Sequence, residues 1–500
     1  MLKLDRFQPV VRYFEEPHID VGESIAVPEP KMGWTLVGPL GDKEAHYDIN
    51  IGLIGDNSSL EATKNLIERL NITSYGKDKT FLHVAYPGLD RLRLRLVVKG
   101  TAEIDGETLK TQMEKSVSLS NRIEFFSRIV EEKVKALTDK DPSPEVLLLA
   151  YPKIVDYYCI EGAIGHRGIP RKSSLEKYIE RERSLHRPLD KFFNIPPPAQ
   201  QVFRPTDLRS MVKIICMKYK VPIQILRPHT TEPYNSEKPN REDDATTFWN
   251  LIVALFYKSN RLPWRVRNLM ADTCYVGVSF FRDRSDLATV KTALSQVFSL
   301  DSEGYVFKGG KAHTDESNNL HISKDEATSV ISQAISQYKN SRNGQLPQRV
   351  VVHKTSRYDT NEIEGFKAGL DGVPKIDLVA FGTRNMKLVR WGVQPPIRGT
   401  MVRLPDDSVL LYTYGFIPYL GVYPGPRVPS PLEILQHVGS ASIDTICDEI
   451  LSLTKLNWNN AKFCTKAPIT IGFAKRVGEI LRNSPPDADK DLQNRLKFYM

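Results

Sequence analysis

Two cations and an amide in the segment Thr206–Leu226 have the spacing of a phosphate-binding socket. An apolar stripe marks the buried face of a predicted helix in this segment: Leu208, Val212, Ile215 and Tyr219. Arg209 and Lys213 lie beside the stripe, four residues apart, so that their charged groups can converge on one anion. Gln224 follows on a predicted strand, on the face opposite to its apolar neighbours. We therefore predict that Arg209, Lys213 and Gln224 bind a terminal phosphate.

A second predicted helix supplies further polar side chains at a regular spacing. In Thr246–Lys258, the residues Asn250, Ala254 and Lys258 form one row that ends in a cation. Each polar residue alone is explained as simply by a solvated position on an amphipathic helix. The whole set at these spacings favours a binding site, so we add Asn250 and Lys258 to the predicted phosphate ligands.

The composition permits a nucleic-acid-binding protein. The chain has 500 residues, with 69 Lys and Arg against 60 Asp and Glu, and a formal net charge of +9. A basic balance fits a nucleic-acid partner, although solubility alone explains it equally well. Two or three domains are expected from this length.

The cysteine and hydropathy patterns predict a cytoplasmic protein. The five cysteines are widely spaced and form no Cys-x-x-Cys pair, which argues against a disulfide framework and against a zinc site. We identify neither a signal peptide nor an apolar run long enough to cross a membrane. The sequence also lacks the glycine motifs of dinucleotide, P-loop and α/β-hydrolase sites.

Strands and helices alternate along the chain, which predicts an α/β fold in two lobes. A polar insertion at about 161–205 interrupts the first lobe, and the second lobe begins after Trp264. The predicted strands are Asp48–Gly55, Glu145–Ala150, Ile223–Leu226, Cys274–Phe280, Tyr305–Lys308 and Arg349–His353, with others near 375–389 and 408–414. Besides the two helices above, the predicted helices are Ser58–Leu70, Ser120–Leu137, Leu287–Phe298, Lys324–Asn340, Ser442–Leu456 and Ile469–Leu481.

The order of these motifs resembles that of Argonaute proteins. The pattern R-x3-K-x10-Q, followed by a helix with Asn and Lys, resembles the MID domain, in which such residues bind the 5′ phosphate of a guide strand. CYVGVSFF and the segment Val350–Leu370 resemble strands and loops of the PIWI domain, as do YPGPRVPSPLEIL, LTKLNWNN and LKFYM. The resemblance runs from about residue 35 to the end. It is to the short prokaryotic Argonautes, which lack separate N-terminal and PAZ domains.

This resemblance implies a domain plan and a metal ion. We expect an N-terminal extension at 1–34, a Rossmann-like MID domain at 35–265 and an RNase H-like PIWI domain at 266–500. In the family, the C-terminal carboxylate and a divalent cation help to hold the guide phosphate. We therefore expect Met500 to supply a ligand to a structural Mg²⁺ at that phosphate, and we expect no organic cofactor.

The residues at the family's slicing positions predict that this chain does not cut. Slicing needs several carboxylates around two Mg²⁺ ions, but the chain has Ser279 and Thr355 at two of those positions. The final position falls on Asn460 or Cys464, an alternative that the sequence leaves open. Nearby acids are most simply surface charges, although a nuclease with a rearranged carboxylate set is the alternative: Asp283, Asp286, Asp359, Glu362 and Glu364.

The resemblance also implies partners. We expect a guide strand, of RNA in preference to DNA, and a complementary DNA target, with Lys354 and Arg357 contacting the backbone through their charge. The basic run His166–Lys172 is ambiguous in the same way as these two residues. Inactive short Argonautes act with an effector subunit that joins an APAZ region to a TIR, SIR2 or nuclease domain. This chain would then be the sensor of a defence system against plasmids or phages, and a scaffold without guide binding is a third possibility.

Overall fold

The computed structural model describes most of the chain. The described residues are 10–42, 44–77, 83–160, 205–235, 241–267, 269–282, 290–298, 304–316, 319–384, 386–388, 395–425, 428–485 and 488–500. Most of the predicted polar insertion, including His166–Lys172, lies outside them, and so do Asp283 and Asp286. Among the described residues, none of the helices combines the length and the apolar character that a membrane crossing requires.

Seventeen strands and twelve α-helices make up the described structure. The strands are β1 (Val10–Tyr13), β2 (Ile19–Val21), β3 (Ile25–Val27), β4 (Tyr47–Gly55), β5 (Leu94–Glu103), β6 (Val146–Ala150), β7 (Ile223–Leu226), β8 (Arg265–Val266), β9 (Thr273–Arg282), β10 (Val290–Phe298), β11 (Gly304–Thr314), β12 (Leu320–Ile322), β13 (Arg349–Lys354), β14 (Lys375–Thr383), β15 (Thr400–Arg403), β16 (Val409–Leu411) and β17 (Leu432–Gly439). The helices are α1 (Pro30–Val37), α2 (Asn57–Leu70), α3 (Gly106–Lys115), α4 (Leu119–Thr138), α5 (Lys153–Cys159), α6 (Leu208–Lys218), α7 (Pro228–Thr231), α8 (Asp244–Lys258), α9 (Lys324–Ser341), α10 (Thr360–Gly369), α11 (Ile443–Leu453) and α12 (Ile469–Arg482).

The first lobe is built on a four-stranded sheet in the order β5-β4-β6-β7, and all of its pairings are parallel. Every residue of β6 is buried, as expected for a central parallel strand with helices on both faces. Parallel neighbours need a crossover, and α2 and α4 supply it between the first three strands. This arrangement is the Rossmann-like lobe that the sequence predicts.

The second lobe is built on a ten-stranded sheet in the order β1-β15-β16-β17-β14-β13-β9-β10-β11-β12. Its centre is β9, which pairs in parallel with β13 and antiparallel with β10. Residues of β9 are buried on both faces, because α12 covers one face and the other shares an apolar cluster with α9. Mixed pairing around a central strand is consistent with the predicted RNase H-like lobe.

The predicted N-terminal extension supplies strands to two sheets, the ten-stranded sheet and a small three-stranded sheet. Strand β1 pairs antiparallel with β15 at the edge of the large sheet. Strands β2 and β3 form a small sheet with β8, which lies at the junction of the two lobes. Residues 10–34 are therefore integrated into the fold.

A tryptophan cluster joins the lobes. Trp34, Trp249 and Trp264 are buried, and the Trp34 ring meets the other two edge-on at 6.3 and 6.4 Å between centroids. Trp264 Nε1 donates to the carbonyl of Lys455 at 2.9 Å, and Trp458 Nε1 donates to the carbonyl of Trp264 at 3.1 Å. The lobes thus share one apolar core.

One predicted helix is wrong. The segment 287–298 has helix-like spacing of its apolar residues, but Val290–Phe298 forms strand β10 between β9 and β11. The hydrogen bonds of two flanking strands outweigh the local periodicity here.

Candidate nucleic-acid interface

Helix α6 positions two of the predicted phosphate ligands. Asp207 caps its first turn by accepting a hydrogen bond from the Ser210 backbone nitrogen at 3.0 Å. Arg209 is exposed, whereas Lys213 is 3% exposed. Lys213 is buried because α12 and the last residues of the chain cover this face of α6.

Gln224 and Lys258 meet, as the sequence predicts for ligands of one site. Lys258 Nζ donates to Gln224 Oε1 at 2.6 Å and to the carbonyl of Ile223 at 3.0 Å. Lys213 Nζ donates to the main-chain oxygen of Met500. The end of α8, the start of β7, the middle of α6 and the C-terminal residue therefore converge.

Arg476 is a fourth cation of this cluster, and the sequence reasoning missed it. Arg476 lies on α12, and Asn483, the residue that follows this helix, donates through Nδ2 to the Ser210 hydroxyl of α6 at 3.4 Å. Its Nη1 atom is buried and has no hydrogen-bond partner in the structure. Nothing in the local sequence distinguishes Arg476 from its exposed neighbour Lys475; only the packing of α12 on α6 does.

The electrostatics of the cluster favour an anion. Burial and the neighbouring cations Arg209 and Arg476 lower the pKa of Lys258 to about 7. Burial first, and then Lys258, Arg209 and Arg476, hold the pKa of Lys213 well below its usual range. Burial and Arg209 also lower the pKa of Arg476, and Glu479 opposes that shift.

Within the described part of the chain, none of the four cations donates to a side-chain carboxylate. The contacts of Lys213 and Lys258 are to a side-chain amide and to main-chain oxygens. An uncompensated buried charge is costly, so a bound anion would stabilise this cluster. We call Arg209, Lys213, Gln224, Lys258 and Arg476 the socket.

Asn250 does not belong to the socket. Eight residues of helix separate it from Lys258, which corresponds to about 12 Å along α8. Its Nδ2 donates to Glu242 at 3.2 Å, and its Oδ1 accepts from the Ala461 backbone nitrogen at 3.0 Å. Asn250 is therefore too far from Lys258 to bind the same phosphate, contrary to the prediction.

Asn250 instead lines a cavity between the lobes. The cavity has a volume of about 360 Å³ and lies between the start of α8 and residues 461–464. Trp249 and Phe463 contribute aromatic surface, and Lys77 and Lys462 contribute exposed cations. The lining also includes the carboxylates of Glu29, Glu242 and Asp243, so its charge is mixed.

The two predicted slicing positions lie side by side. Strands β9 and β13 are parallel with Val278 opposite Lys354, the last residue of β13, so Ser279, within β9, lies beside the strand end that Thr355 follows. Ser279 is 2% exposed and its hydroxyl has no hydrogen-bond partner in the structure. Neither side chain carries the charge that a two-metal site requires.

Helix α12 covers the face of β9 to which Ser279 belongs. A Cβ at Gly277 would lie 2.3 Å from the Thr470 carbonyl, so α12 approaches this strand closely. Gly277 and Ser279 share a face because side chains alternate along a strand.

The remaining slicing position stays a prediction at Asn460 or Cys464, and the structure places the two residues in different surroundings. Asn460 accepts hydrogen bonds from Asn457 at 2.9 Å and from the Lys462 backbone at 3.2 Å. Cys464 packs in a separate apolar cluster with Phe463. The element that faces Ser279 is α12, which begins only after both residues.

The burial of Lys354 contradicts its predicted contact with a nucleic-acid backbone. Its ammonium is fully buried and donates to both carboxylate oxygens of Glu362, so it faces the interior and not a bound strand. Glu362, expected as a surface charge, is fully buried too. Glu364 is an exposed partner of Lys324 at 2.8 Å, as expected. Arg357 is exposed and donates to the Leu435 carbonyl at 2.7 Å.

Acidic groups around Glu362 form a possible metal-ligand set. Ligand atoms of His321, Asp359 and Glu362 lie within 4.8 Å of one another, and His321 Nδ1 is 2.8 Å from Glu362. The Lys354 ammonium already neutralises Glu362. This set is therefore satisfied internally and gives no support to a rearranged nuclease centre.

Comparisons with known proteins show the fold. No protein-family model matches the chain. The protein argonaute of Aquifex aeolicus (strain VF5) is 22% identical over 280 residues, which are 55% of this chain and 36% of that protein.

Solved structures match nearly the whole chain. Clostridium butyricum Argonaute, bound to a guide DNA and a 19-mer target DNA, has a TM-score of 0.60 at 15% identity over 97% of this chain and 54% of its own. Drosophila Piwi has a TM-score of 0.59 at 14% identity over 98% and 56%. The A. aeolicus Argonaute structure has a TM-score of 0.53 at 15% identity over 96% and 54%.

This chain spans about a third of the curated relative's length and just over half of each solved chain. The matches confirm the predicted architecture, a Rossmann-like MID lobe followed by an RNase H-like PIWI lobe. The chain is therefore an Argonaute- and PIWI-like protein in its fold.

Proposed function

We propose that this chain binds the 5′ phosphate of a guide strand in the socket and uses the guide to recognise a complementary target. One observation carries the proposal. Arg209, Lys213, Lys258 and Arg476 converge without a side-chain carboxylate partner among the described residues. A terminal phosphate is a compact dianion that can accept hydrogen bonds from several cations at once.

The guide would run from the socket along α8 toward the cavity. In a helical strand one phosphate follows about every 3.4 Å of axis, so the 12 Å from Lys258 to Asn250 corresponds to roughly three or four nucleotides. Asn250 and Lys462 would then contact the guide beyond its first nucleotides. The amide and the ammonium fit backbone contacts, which carry no sequence preference.

Base pairing with the guide would select the target. The protein would supply shape and charge, as in other guided systems. The C. butyricum relative was solved with a guide DNA and a target DNA. For this chain we propose an RNA guide and a DNA target, which the resemblance to short prokaryotic Argonautes implies.

A Mg²⁺ ion at the guide phosphate is part of the proposal. The residues that surround Met500 in the socket are cations, so the empty socket has little affinity for a metal. Mg²⁺ is commonly held by one or two carboxylates together with phosphate oxygens. The ion would therefore enter with the phosphate, with Met500 as its protein ligand, and chelation would weaken binding of phosphorylated guides only.

We further propose that the chain does not cut its target. Ser279 in β9 and Thr355 after β13 occupy the adjacent positions at which we expect slicing to need carboxylates. Activity would come from a partner, an effector with an APAZ region joined to a TIR, SIR2 or nuclease domain. The chain would act in the cytoplasm as the sensor of a defence system against plasmids or phages.

The test is a binding and cleavage assay with short guides that carry a 5′ phosphate or a 5′ hydroxyl. We expect preference for the phosphorylated guide, loss of that preference in the double variant Lys213→Ala and Gln224→Ala, and no guide-dependent cleavage of a labelled target with Mg²⁺ or Mn²⁺. Lys218→Ala is the matched control, since Lys218 is exposed on the same helix and pairs with Glu131.

Equal retention of both guides by the wild type and the double variant would contradict the socket and favour a scaffold. Guide-dependent cleavage would favour the nuclease alternative. Replacing unlabelled RNA guides by DNA guides of the same sequence in the same assay decides the guide type.

A further inference from the structure

Lys258 is a buried cation that depends on neutral acceptors. It is the last residue of α8 and is 1% exposed. Its ammonium donates to the amide oxygen of Gln224 and to the main-chain oxygen of Ile223. Both acceptors are uncharged, so they offset only part of the cost of removing an ammonium from water.

The charged groups that face Lys258 from other elements are also cations. Helix α6 brings Arg209 and Lys213, together with the Cys216 thiol, whose pKa is raised by burial. Helix α12 brings Arg476, on which Glu479 acts.

The C-terminal segment brings the main-chain oxygen of Met500, which accepts from Lys213 and, among the described contacts, not from Lys258. Lys497 donates to the side-chain oxygen of Asn260, just after the end of α8, at 2.7 Å, and Arg495 donates to the same oxygen at 3.4 Å. In the described structure, an ammonium at Lys258 is therefore surrounded mainly by charge of its own sign.

We propose that binding of a 5′ phosphate in the socket is coupled to the uptake of one proton by Lys258. In the empty socket, a large fraction of molecules hold Lys258 as the neutral amine at neutral pH. The incoming dianion converts it to the ammonium, which then pairs with the phosphate. The inference rests on the proposed function and specifies how that site is regulated.

The physical basis is a change in the sign of the local field. Burial, Arg209 and Arg476 lower the pKa of Lys258 to about 7 in the empty socket. A dianion within a few ångströms favours the ammonium and raises this pKa again. The proton comes from solvent, and no covalent bond changes apart from the new N–H bond.

The sign of the pH dependence follows. Because the pKa of Lys258 is depressed in the free protein and higher in the complex, affinity is greatest below about pH 7 and falls as the pH rises. The loss approaches tenfold per pH unit for a single linked proton. Below about pH 6 the phosphate itself gains a proton, so its affinity stops rising.

The test is isothermal titration calorimetry at pH 8 with a 5′-phosphorylated guide, in two buffers of different ionisation enthalpy and with the same Mg²⁺ concentration throughout. We expect net proton uptake on binding of the phosphorylated guide, to which Lys258 contributes up to one proton because its pKa in the free protein is lowered to about 7. The same guide with a 5′ hydroxyl serves as the control and should take up none. In Lys258→Arg, whose guanidinium stays charged, the proton uptake per bound phosphorylated guide should fall by about one proton.

Each outcome has a separate meaning. Preference for the phosphate without proton uptake overturns this inference and leaves the proposed function standing. Absence of any phosphate preference overturns the proposed function. Unchanged uptake in Lys258→Arg overturns the assignment to Lys258. If this variant does not fold, the wild-type pH profile of phosphate preference between pH 6 and 9 decides: a flat profile contradicts the coupling.

Discussion

Lys213, Lys258 and Arg476 hold cationic groups in a setting that offers few compensating charges. A protein that only needed stability would gain from apolar residues at these positions, because a buried charge costs several kcal/mol before it is paired. Arg476 illustrates the point, since its buried Nη1 has no partner in the structure. A bound anion that completes these contacts is the role we propose for the cluster.

Arg476→Gln should weaken binding of 5′-phosphorylated guides. The substitution removes a charge-assisted hydrogen bond, which contributes about 1.5–3 kcal/mol, or roughly 10- to 150-fold in affinity. The matched control is Lys475→Gln, which removes an exposed cation at the adjacent position. Fluorescence anisotropy with phosphorylated and hydroxyl guides measures the effect. An equal loss for both guides, or an equal loss in both variants, would mean that Arg476 does not contact the terminal phosphate.

The sequence was sufficient for part of the socket. Arg209, Lys213 and Gln224 could be predicted because helical and strand spacing fixes which side chains share a face. Arg476 could not, because its neighbours come from a helix packed across the lobe boundary. Asn250 was assigned to the wrong site because a row along a helix gives a direction but not a distance to a ligand.

At the scale of elements, strand pairing decided what periodicity could not. The segment Val290–Phe298 has helical spacing, yet β9 and β11 both pair with it. Helices such as α8 and α9 were predictable because their caps are local: Asp243 and Ser323 accept from the backbone three residues later. The burial of the Lys354 and Glu362 side chains could not be predicted, because burial depends on elements that are distant in sequence.

Lys354→Met should destabilise the PIWI lobe and leave guide affinity unchanged. The substitution leaves the Glu362 carboxylate buried without its ion-pair partner, and removing one partner of a buried pair costs about 3–5 kcal/mol. Denaturant unfolding measures this cost, and the paired change Lys354→Met with Glu362→Gln should recover part of it. Arg357→Gln is the exposed control, with a small effect on stability. A loss of nucleic-acid affinity without loss of stability in Lys354→Met would restore Lys354 as a backbone contact.

At the scale of the molecule, the lobe boundary is a core and not a hinge surface. The largest apolar cluster contains residues of both lobes, among them Trp34 and Trp264 from the first and Trp458 from the second. Buried ion pairs reinforce the boundary: Glu16 near the N-terminus accepts from Arg398 at 2.8 Å and from Lys455 at 2.9 Å. The sequence around Trp264 predicts a boundary near residue 265, but it does not predict that the two lobes share one apolar core. A socket built from α6, α8 and α12 requires that firmness, because α12 belongs to the other lobe.

We therefore expect the described lobes to unfold in one cooperative transition. Tryptophan fluorescence reports mainly on the boundary, where Trp34, Trp249, Trp264 and Trp458 lie, while far-UV circular dichroism reports on all helices and strands. The two signals should change at the same denaturant concentration. Trp458→Phe removes the donor to the Trp264 carbonyl and should lower the free energy of unfolding by about 1–3 kcal/mol, by the same amount in both signals. Tyr75→Phe, at an exposed position, should leave the free energy of unfolding unchanged. If fluorescence changes at a lower denaturant concentration than circular dichroism, the lobes separate before they unfold. Phosphate binding in the socket should then be lost at that earlier transition, because Arg476 belongs to the second lobe and the other socket residues to the first.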